Sequence, residues 1–578
     1  MDQSPQVKLN ATAHYFLEGL NELGIEYLFC NLGTDHAPLV EEMARWRKHG
    51  RRLPQTILCP HENVAIHMAA GYAMATGRGQ GVMVHVDVGT ANSAVGIHNL
   101  ARARTPALVM AGRAPFTFRG ELTGSRDTYV HFVQEPFDQA GIVRPYVKWE
   151  YSLPSGVVAK EVLRRAHSVM QTDPRGPVYL MLPRETLAET WPENAVRAFP
   201  AERFGPTAAG GADPDTIGAL ADRLLAAKSP ILVTAYAGRN VATPPLLDEL
   251  ARLAGIRVFE FNPLYLCIPH DSPCFAGHLP GKHVAEADVG LLVDVDVPWI
   301  PKDTPDNPAT FWAQIDVDAV KQSLPMWGFA ANLRIQGDSC RILGQLVEAL
   351  EAKATAAHRA AASQRVAAFA TAHAARMAGI ARAAADKGAS GRINPQYLCA
   401  EIGRAIDPDD IVVNEAIRNT LAVFHQIPRS KPGTVIGLAG GGLGFSGGTA
   451  LGVKLARPDR TVVQICGDGS FYFCNPASVY AVAKQYGLPI FTVVLDNGGW
   501  AAVKEATLRV YPDGDAKAAG DYAALLSPEM NFAQLAEAAG AHGELVTDPD
   551  AVPAAIQRCL AAVRSGRAAV LHARVTPL

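Results

Sequence analysis

The sequence predicts an α/β protein built from three doubly wound parallel sheets. Short apolar runs of strand length alternate with amphipathic helical stretches along most of the chain. This alternation is typical of parallel sheets that are covered by helices on both faces. Two breaks interrupt it, a Pro- and Gly-rich segment at residues 199–215 and an Ala-rich run at residues 351–390. The chain has 578 residues, which is also more than a single domain usually holds.

The two breaks separate three predicted domains, an N-terminal one (1–190), a middle one (212–350) and a C-terminal one (392–578). The first and last domains look alike in scale and rhythm. The Ala-rich run lacks a Leu/Ile seam, so we expect a long connecting helix there rather than a coiled coil. The predicted strands are Tyr27–Cys30, Thr56–Leu58, Val82–Val86, Ala107–Ala111, Val178–Leu182, Ile231–Thr234, Arg257–Phe261, Val289–Asp294, Trp312–Ile315, Thr461–Cys466 and Ile490–Leu495.

Composition excludes several classes of protein. The formal net charge is −3, so nothing indicates a nucleic-acid or anionic-membrane partner. The nine cysteines form no CxxC motif and no secretory disulfide spacing, which favours thiols in a reducing cytoplasm. The N-terminus is polar and then amphipathic, unlike a signal peptide, and no apolar run reaches the about 18 residues of a membrane span. We expect a cytoplasmic protein.

The sequence Gly467-Asp468-Gly469-Ser470 follows a predicted strand, and the next predicted strand ends at Asp496-Asn497. Carboxyl ends of neighbouring parallel strands meet at one sheet edge, so these groups are expected to lie close together. Mg²⁺ holds diphosphates through few protein oxygens in octahedral geometry. We therefore expect Asp468, Asn497 and the carbonyl of Gly499 to bind Mg²⁺, while Gly467 and Gly469 allow the backbone to approach phosphate.

A second carboxylate lies at the other end of the chain. Glu62 follows the strand that ends at Cys59-Pro60 and precedes the helical stretch NVAIHMAAGYAMATG. This places Glu62 at a helix N-terminus beside a strand end. A helix-capping role is common for such a Glu, and it remains an alternative to a catalytic role.

Together these segments resemble the thiamine diphosphate-dependent enzymes. Their signature is a GDG turn with a downstream Asn pair, and here Asp496 departs from the first Asn; PHENVAIHMAAGYA resembles their first-domain motif. The resemblance implies a pyrimidine-binding first domain and a diphosphate-binding last one. It also implies that Glu62 relays the proton that leads to an ylid, since a buried carboxylate beside the ring nitrogen is needed there. It further implies a homodimer or homotetramer with active sites at the subunit interface.

Two longer segments resemble benzoylformate decarboxylase and its relatives. GLAGGGLGFSGG, with VVNEAIRN before it, implies that Leu443 is the wedge that bends the cofactor and that the Gly441 carbonyl accepts from its amino group. VHVDVGTANSAVGIHN implies an active-site histidine at His85 and an Asn near the diphosphate at Asn92. The residues that the resemblance places on the cofactor are Asn92, Asn414, Glu415, Gly441, Leu443, Gly467, Gly469, Ser470 and Trp500.

Specificity is expected from the segment NLGTDHAP, which matches the family's substrate-facing loop and carries Thr34, Asp35 and His36. We expect His36 and His85 to be catalytic and Thr34 and Asp35 to contact substrate. FVQEPFDQ resembles the acetolactate synthases and places Gln134 near the site. His67 and His98 are expected to be structural. A substrate pocket lined by two imidazoles and a carboxylate suits small oxygenated substrates. A bulky apolar substrate would leave these polar groups without hydrogen-bond partners.

The reaction stays open between carboligation of the acetolactate synthase type and decarboxylation of a 2-oxo acid, both through an ylid and an enamine. An alternative is a benzoylformate-type decarboxylase, or a lyase or hydrolase acting on a hydroxyketone or diketone. Pro298-Trp299 stands where benzoylformate decarboxylase keeps a second histidine, which argues against aromatic substrates. A remote alternative is a nucleotide-binding oxidoreductase, although the first strand is not followed by GxGxxG. FAD in the middle domain is open, because TAYAGRN is its one supporting segment and the site is expected to be vestigial.

Overall fold

A computed structural model describes residues 9–437, 440–526 and 530–577. Three six-stranded sheets run through it, and neighbouring strands in each are parallel. Helices flank each sheet, so the predicted fold class, α/β with three doubly wound parallel sheets, is confirmed. Two short antiparallel pairs accompany them, Leu9–Ala11 with Thr190–Pro192 and Gly388–Ala389 with Arg392–Ile393.

The first sheet has the strand order β2-β1-β3-β4-β6-β5. Its strands are β1 (Tyr27–Asn31), β2 (Gln55–Leu58), β3 (Gln80–Val84), β4 (Ala107–Arg113), β5 (Glu150–Ser152) and β6 (Pro177–Pro183). The first sheet is covered by α1 (Thr12–Glu22), α2 (Ala37–Lys48), α3 (Glu62–Thr76), α4 (Val86–Arg102) and α5 (Ala159–Gln171).

The middle sheet has the order β9-β8-β7-β10-β11-β12. Its strands are β7 (Ile231–Thr234), β8 (Arg257–Glu260), β9 (Phe275–Gly277), β10 (Val289–Val293), β11 (Phe311–Asp316) and β12 (Leu333–Gln336). Its longer helices are α6 (Pro214–Ala226), α7 (Thr243–Ala254) and α8 (Ser339–Lys353). Asp213 and Asp338 begin α6 and α8 by accepting from the backbone N–H groups of Thr216 and Arg341. The Ala-rich run forms one long helix, α9 (Ala356–Ala383), as predicted.

The last sheet has the order β14-β13-β15-β16-β18-β17, the same layout as the first sheet. Its strands are β13 (Ile411–Glu415), β14 (Val435–Ile436), β15 (Val462–Gly467), β16 (Phe491–Asp496), β17 (His542–Val546) and β18 (Ala569–Arg574). The described helices of six or more residues in this part of the chain are α10 (Pro395–Ala405), α11 (Thr420–Gln426), α12 (Ser446–Ala456), α13 (Asp468–Phe473), α14 (Pro476–Tyr486), α15 (Ala501–Val510), α16 (Phe532–Ala538) and α17 (Val552–Arg564).

The described residues form two compact units. One contains residues 9–208, 440–457 and 473–488, and the other contains 209–437, 458–472 and 489–577, with the unplaced residues left aside. Each sheet has its own apolar core, which includes Phe16 and Leu108 under the first sheet, Leu232 and Ile315 under the middle sheet, and Ile465 and Leu571 under the last. The boundaries of the three predicted domains stay a prediction. Among the described residues no helix combines the length and the apolar character that crossing a membrane requires.

Several predicted strand ends shift by one residue, and one predicted strand runs two residues past its observed end. Val82–Val86 was expected to be a single strand, but β3 ends at Val84 and Val86 already begins α4. The Val86 backbone N–H donates to Oδ2 of Asp35 at 3.3 Å, so this buried carboxylate caps the helix start. His85 therefore lies in the turn between strand and helix, and not within the strand.

Helices α3 and α12 pack unusually closely because glycine stands at their contact. A Cβ on Gly71 would lie 2.1 Å from the carbonyl oxygen of Thr449, and a Cβ on Gly452 would lie 2.0 Å from that of Met68. Both helices belong to the first compact unit. This contact joins the helix that starts at Glu62 to the helix that follows the Gly-rich loop of residues 440–445.

Candidate active site

The carboxyl ends of β1 and β3 place Asp35 beside His85. These strands are neighbours in the first sheet, and the turn Thr34–His36 follows β1. A carboxylate oxygen of Asp35 accepts a hydrogen bond from Nδ1 of His85. A Cβ on Gly33 would lie 1.9 Å from Nδ1 of His85, and a Cβ on Gly112 would lie 1.3 Å from Oδ2 of Asp35. The pair therefore depends on two glycines that leave room for it.

The environment of this pair favours a charged imidazole. The Asp35 residue is 1% exposed and the His85 side chain 18%. Burial lowers the pKa of His85, but the hydrogen bond and charge of Asp35 outweigh burial and raise it above its usual value. Burial also raises the pKa of Asp35, yet its contacts with the His36 and His85 imidazoles hold it well below its usual range. Nε2 of His85 lies 3.0 Å from Oε1 of Gln134, so both ring nitrogens face acceptors.

The other residues of the predicted substrate loop differ in exposure. His36 is 0% exposed, its Nδ1 accepts from the Gly33 backbone N–H at 3.1 Å, and its Nε2 has no hydrogen-bond partner among the described residues. Thr34 is exposed, and its Oγ1 lies 2.9 Å from Nε2 of His131. Sequence reasoning did not select His131, because it lies in a short helix, Val130–Val133, that follows a long irregular segment.

Glu62 begins α3, which is the placement expected from sequence. The preceding residue, His61, caps this helix by accepting from the Asn63 backbone N–H, and Gly77 ends it in the left-handed region at φ 73°. Glu62 is 7% exposed, and its Oε2 accepts a hydrogen bond of 3.1 Å from Nδ2 of Asn92. In the described chain Asn92, which was predicted near the diphosphate, thus contacts the carboxylate of Glu62.

The loop that carries Gly441 and Leu443 is held by side chains that sequence reasoning did not single out. Asn63 donates to the Gly444 carbonyl at 3.2 Å, and Nδ2 of Asn99 donates to the Gly442 carbonyl at 2.9 Å. His67 connects the two, since it contacts both the Asn63 carbonyl and Nδ2 of Asn99. Burial lowers the pKa of His67 to about 4, so it is neutral and structural, as expected. Gly441 is exposed, with open space where a Cβ would stand.

In the second compact unit, the ends of β15 and β16 bring two carboxyl groups together. Asp468 follows Gly467, the last residue of β15, and its carboxyl group faces that of Asp496. Burial, and then the charge of Asp496, raise the pKa of Asp468 to about 7. Asp496 itself is held by His572 at 2.7 Å and by Arg574 at 2.6 Å from β18. Burial opposes its ionisation, but these partners lower its pKa.

The remaining residues predicted for the diphosphate lie around this carboxyl pair or at the end of β13. Asn497 is buried and its Oδ1 accepts from the Gly499 backbone N–H at 3.2 Å. A Cβ on Gly469 would lie 2.2 Å from the Trp500 ring, whereas a Cβ on Gly467 would meet no atom within 4 Å. Ser470, Asn414 and Glu415 are buried, and Oδ1 of Asn414 accepts from the Ala416 N–H at 3.0 Å. Carboxylate and amide oxygens beside an open strand end fit a magnesium-bound diphosphate.

The order of the middle sheet reverses between β7 and β10, where such folds bind nucleotides. Here the carboxyl ends of the strands carry a buried internal network. Lys321 donates to Asp316 and to the Tyr236 hydroxyl, both at 2.6 Å, and it pairs with Asp296 at 2.9 Å. Beside this network Ser339 donates to Asp294 at 2.7 Å.

Comparison with known proteins identifies the class to which these elements belong. The family models described as the N-terminal and C-terminal TPP binding domains of thiamine pyrophosphate enzymes match residues 10–142 and 419–573. The chain therefore belongs to the thiamine pyrophosphate-dependent enzymes. The alternative of a nucleotide-binding oxidoreductase is not better supported.

Two curated relatives cover nearly the whole chain. Benzoylformate decarboxylase of Pseudomonas aeruginosa is 24% identical over 562 residues, which are 95% of this chain and 96% of that protein. The acetolactate synthase large subunit of Haemophilus influenzae is 23% identical over 561 residues, 94% and 91% of the two chains. A thiamin diphosphate-dependent enzyme structure from Mycobacterium smegmatis shares the fold, with a TM-score of 0.77, 22% identity and coverage of 98% and 100%.

Proposed function

We propose that this enzyme makes or breaks a carbon–carbon bond next to the carbonyl group of a small 2-oxo acid, aldehyde or hydroxyketone, with thiamine diphosphate and Mg²⁺ as cofactors. The observation that carries the proposal is the Asp35–His85 pair, which lies at the same edge of the first sheet as Glu62, since all of these residues follow the carboxyl ends of neighbouring strands. The names of the two relatives support an oxo acid as substrate. Carboligation is at least as well supported as decarboxylation.

The diphosphate end is proposed at Asp468, Asn497 and the Gly499 carbonyl, which would hold Mg²⁺. Two crowded buried carboxyl groups support this assignment, because a divalent cation offsets their repulsion and takes oxygen ligands. Asp496 is the less suitable ligand, since His572 and Arg574 already engage its carboxylate. The open space above Gly467 leaves room for phosphate oxygens. Ser470, Trp500, Asn414 and Glu415 are proposed to line the same end of the cofactor.

The reacting end is proposed at Glu62, Gly441 and Leu443. When bound, thiamine diphosphate supplies a nucleophilic carbon and an electron sink for the bond next to the carbonyl group. Glu62 would hold or release a proton at the pyrimidine ring, and the Asn92 amide orients its Oε2. Asn63 and Asn99 fix the backbone around Leu443, so this side chain would orient the cofactor from a rigid loop.

The substrate end is proposed at His85, Gln134 and Thr34. His85 would donate to a substrate oxygen from Nε2 after Gln134 moves aside. Asp35 and His36 are buried beneath it, which supports a positioning role for them rather than direct contact. A polar mouth of this kind favours small oxygenated substrates, because each polar group left unpaired costs about 1–3 kcal/mol.

The middle domain is proposed to work without FAD. Lys321, Asp316 and Tyr236 fill the strand ends where a dinucleotide would lie, and a Cβ on Gly238 in the first turn would be 1.9 Å from the Leu266 carbonyl oxygen. Asp294 and Asp316 would also place carboxyl groups against a bound pyrophosphate, which they would repel. The segment TAYAGRN thus serves packing, in keeping with a vestigial site.

We further propose a cytoplasmic homodimer or homotetramer with active sites at the subunit interface. The cysteines all occur as free thiols, which supports a reducing compartment. Exposed aromatic side chains cluster in one segment of the first compact unit and support burial by a second copy; they are Phe116, Phe118, Tyr129, Phe132 and Phe137.

The test is product analysis with purified protein, thiamine diphosphate and Mg²⁺ against a panel of 2-oxo acids, aldehydes and hydroxyketones. We expect CO₂ release or a new hydroxyketone from at least one small member of the panel, and the activity is expected to be lost in Glu62→Gln. A strong preference for bulky hydrophobic 2-oxo acids would contradict the proposed substrate class. Turnover of none of these compounds would contradict the proposed reaction.

A further inference from the structure

One short segment contacts two of the residues proposed for the substrate. Nε2 of His131 lies 2.9 Å from Oγ1 of Thr34, and Oε1 of the nearby Gln134 lies 3.0 Å from Nε2 of His85. All four residues belong to the first compact unit. His131 is 2% exposed, whereas Thr34 is exposed. A buried imidazole thus lies behind a hydroxyl group that is open to a bound molecule.

The surroundings of His131 determine which of its ring nitrogens carries the proton. The hydrogen bonds to Nδ1 come from the Asp127 backbone N–H at 3.4 Å and from Nη1 of Arg184 at 3.5 Å, and both groups can only donate. A carboxylate oxygen of Asp127 also lies 3.2 Å from Nδ1, but Arg184 binds this carboxylate with both terminal nitrogens, at 3.0 and 2.7 Å. Nδ1 of a neutral ring is therefore the acceptor, and Nε2 carries the proton.

The same surroundings keep the ring neutral. Burial lowers the pKa of His131, and the charge of the Arg184 guanidinium lowers it further, against the smaller opposing effect of the Asp127 carboxylate. A neutral imidazole has a single N–H group, and the partner of that group here is Oγ1 of Thr34. His131 therefore donates a hydrogen bond to the Thr34 hydroxyl.

This hydrogen bond decides what the Thr34 hydroxyl can offer to a bound molecule. A hydroxyl group has one proton and two lone pairs, and the bond from His131 occupies a lone pair. In the described chain the Thr34 side chain makes no other hydrogen bond, so its proton remains available. Nε2 of His85 is a donor as well, since the ring that Asp35 keeps charged carries a proton on both nitrogens. Both groups can therefore donate to substrate oxygens.

We propose that His131 is a positioning residue, which donates from Nε2 to Oγ1 of Thr34 and thereby makes the Thr34 hydroxyl a hydrogen-bond donor toward the substrate. This inference rests on the proposed function. The substrate oxygen that fits carries no proton and is negatively charged, since charge-assisted hydrogen bonds are about twice as strong as neutral ones. The carboxylate of a 2-oxo acid meets this condition better than the hydroxyl group of a hydroxyketone. Asp127 and Arg184 act on Thr34 only through the tautomer of His131.

The tautomer is tested by long-range ¹H–¹⁵N NMR of ¹⁵N-histidine-labelled holoenzyme, with the His131 resonances assigned from His131→Gln. Near neutral pH we expect the chemical shifts of a neutral ring that is protonated at Nε2. Thr34→Val removes the acceptor and is expected to shift the resonance of the Nε2 proton. A neutral ring protonated at Nδ1 would overturn the inference. This measurement needs no substrate, so a failed tautomer and a failed assignment of the reaction are told apart.

The effect on the substrate is tested in the holoenzyme with pyruvate and the best 2-oxo acid of the panel as probes. His131→Leu removes the donor, whereas His131→Gln keeps one, because the Gln amide nitrogen can occupy the place of Nε2. A hydrogen bond to a charged group is worth roughly 10- to 100-fold in affinity. We expect kcat/KM to fall by that factor in His131→Leu, mainly through KM, and by less in His131→Gln.

A double variant separates positioning from a purely structural role. Thr34→Val removes the hydroxyl group itself, and it is expected to lose as much in kcat/KM as His131→Leu. Because His131 acts through Thr34, adding His131→Leu to Thr34→Val is expected to cause no further loss. A residue that only supports the fold would lower kcat/KM by the same factor in both backgrounds, and that result would overturn the inference. Equal losses in His131→Leu and His131→Gln would overturn it as well. The NMR measurement on the unchanged chain decides the tautomer even where a variant does not fold.

Discussion

The side-chain amide of Asn99 forms hydrogen bonds with both backbone polar groups of Gly442. Its Oδ1 accepts from the Gly442 N–H at 3.2 Å, and its Nδ2 donates to the Gly442 carbonyl at 2.9 Å. The next residue is Leu443, the proposed wedge for the cofactor. The Asn99 side chain on α4 therefore fixes the loop that is expected to orient the thiazolium ring of the cofactor.

Asn99→Ala is expected to loosen this loop. Each lost hydrogen bond to a buried group costs about 1–3 kcal/mol, so the free energy of unfolding should fall and thiamine diphosphate should bind more weakly. Chemical denaturation and calorimetric titration of the cofactor measure the two effects. Asn21→Ala is the control, because Asn21 donates to the Arg52 carbonyl at an exposed position. If Asn99→Ala and Asn21→Ala bind the cofactor equally well, the loop does not depend on the hydrogen bonds from Asn99.

Asp468→Ala is expected to abolish saturable binding of thiamine diphosphate with Mg²⁺, since it removes a proposed metal ligand and the carboxylate at the end of β15. Calorimetry measures the binding. Asp409→Ala removes an exposed carboxylate that pairs with Lys431 and Arg460, and it should leave binding unchanged. Normal cofactor binding by the Asp468 variant would contradict the assignment of Asp468 as a Mg²⁺ ligand.

Glu62→Gln is expected to bind the cofactor normally and to lose activation of it. General acid–base groups contribute about 10²–10⁴-fold in rate, so turnover should fall by that factor, together with exchange of the thiazolium proton for deuterium. Glu41→Gln, at an exposed position on α2, is the matched control. If Glu62→Gln exchanges the thiazolium proton at nearly the wild-type rate, Glu62 has no catalytic role and only caps the helix.

Asp35→Asn is expected to change how stability depends on pH. The folded pKa of His85 is raised, so its contribution is present below its unfolded value of about 6.5 and is lost as pH rises through the folded value. The folded pKa of Asp35 is lowered, so its contribution is present above about 3.9 and is lost as pH falls. The pair thus stabilises most between these limits. Unfolding measured from pH 4 to pH 9 should be flatter in the variant, and an unchanged profile would contradict the ion pair.

The middle domain is expected to bind neither FAD nor ADP in calorimetric titration, and the purified protein should show no flavin absorbance. Lys321→Met is expected to cost about 3–5 kcal/mol in the free energy of unfolding, because it leaves buried carboxylates without their cation. Lys431→Met, at an exposed ion pair, should change stability little. Tight binding of FAD by the wild-type protein would show that the network opens to admit a nucleotide.

The sequence was sufficient for the fold class and for the helix that starts at Glu62, because apolar alternation and helix-start residues are local signals. It was insufficient for the clamp on the Gly-rich loop, since Asn99 and Gly442 are far apart in the chain and no local pattern connects them. The burial of Asp35 under His85 likewise depends on Gly112 of a different strand. His131 escaped notice because a lone histidine in an irregular segment carries no periodic signal. The second imidazole was expected at His36, which the fold buries completely.

The first and last sheets share one strand order, so positions in the two sheets can be compared directly. After the third strand of that layout one sheet carries His85 and the other carries Asp468. Equivalent positions thus hold a proposed proton donor in one sheet and a proposed metal ligand in the other. Because the two proposed roles lie on separate sheets, exchanges on the first sheet can alter substrate choice while the proposed cofactor anchor on the last sheet stays unchanged.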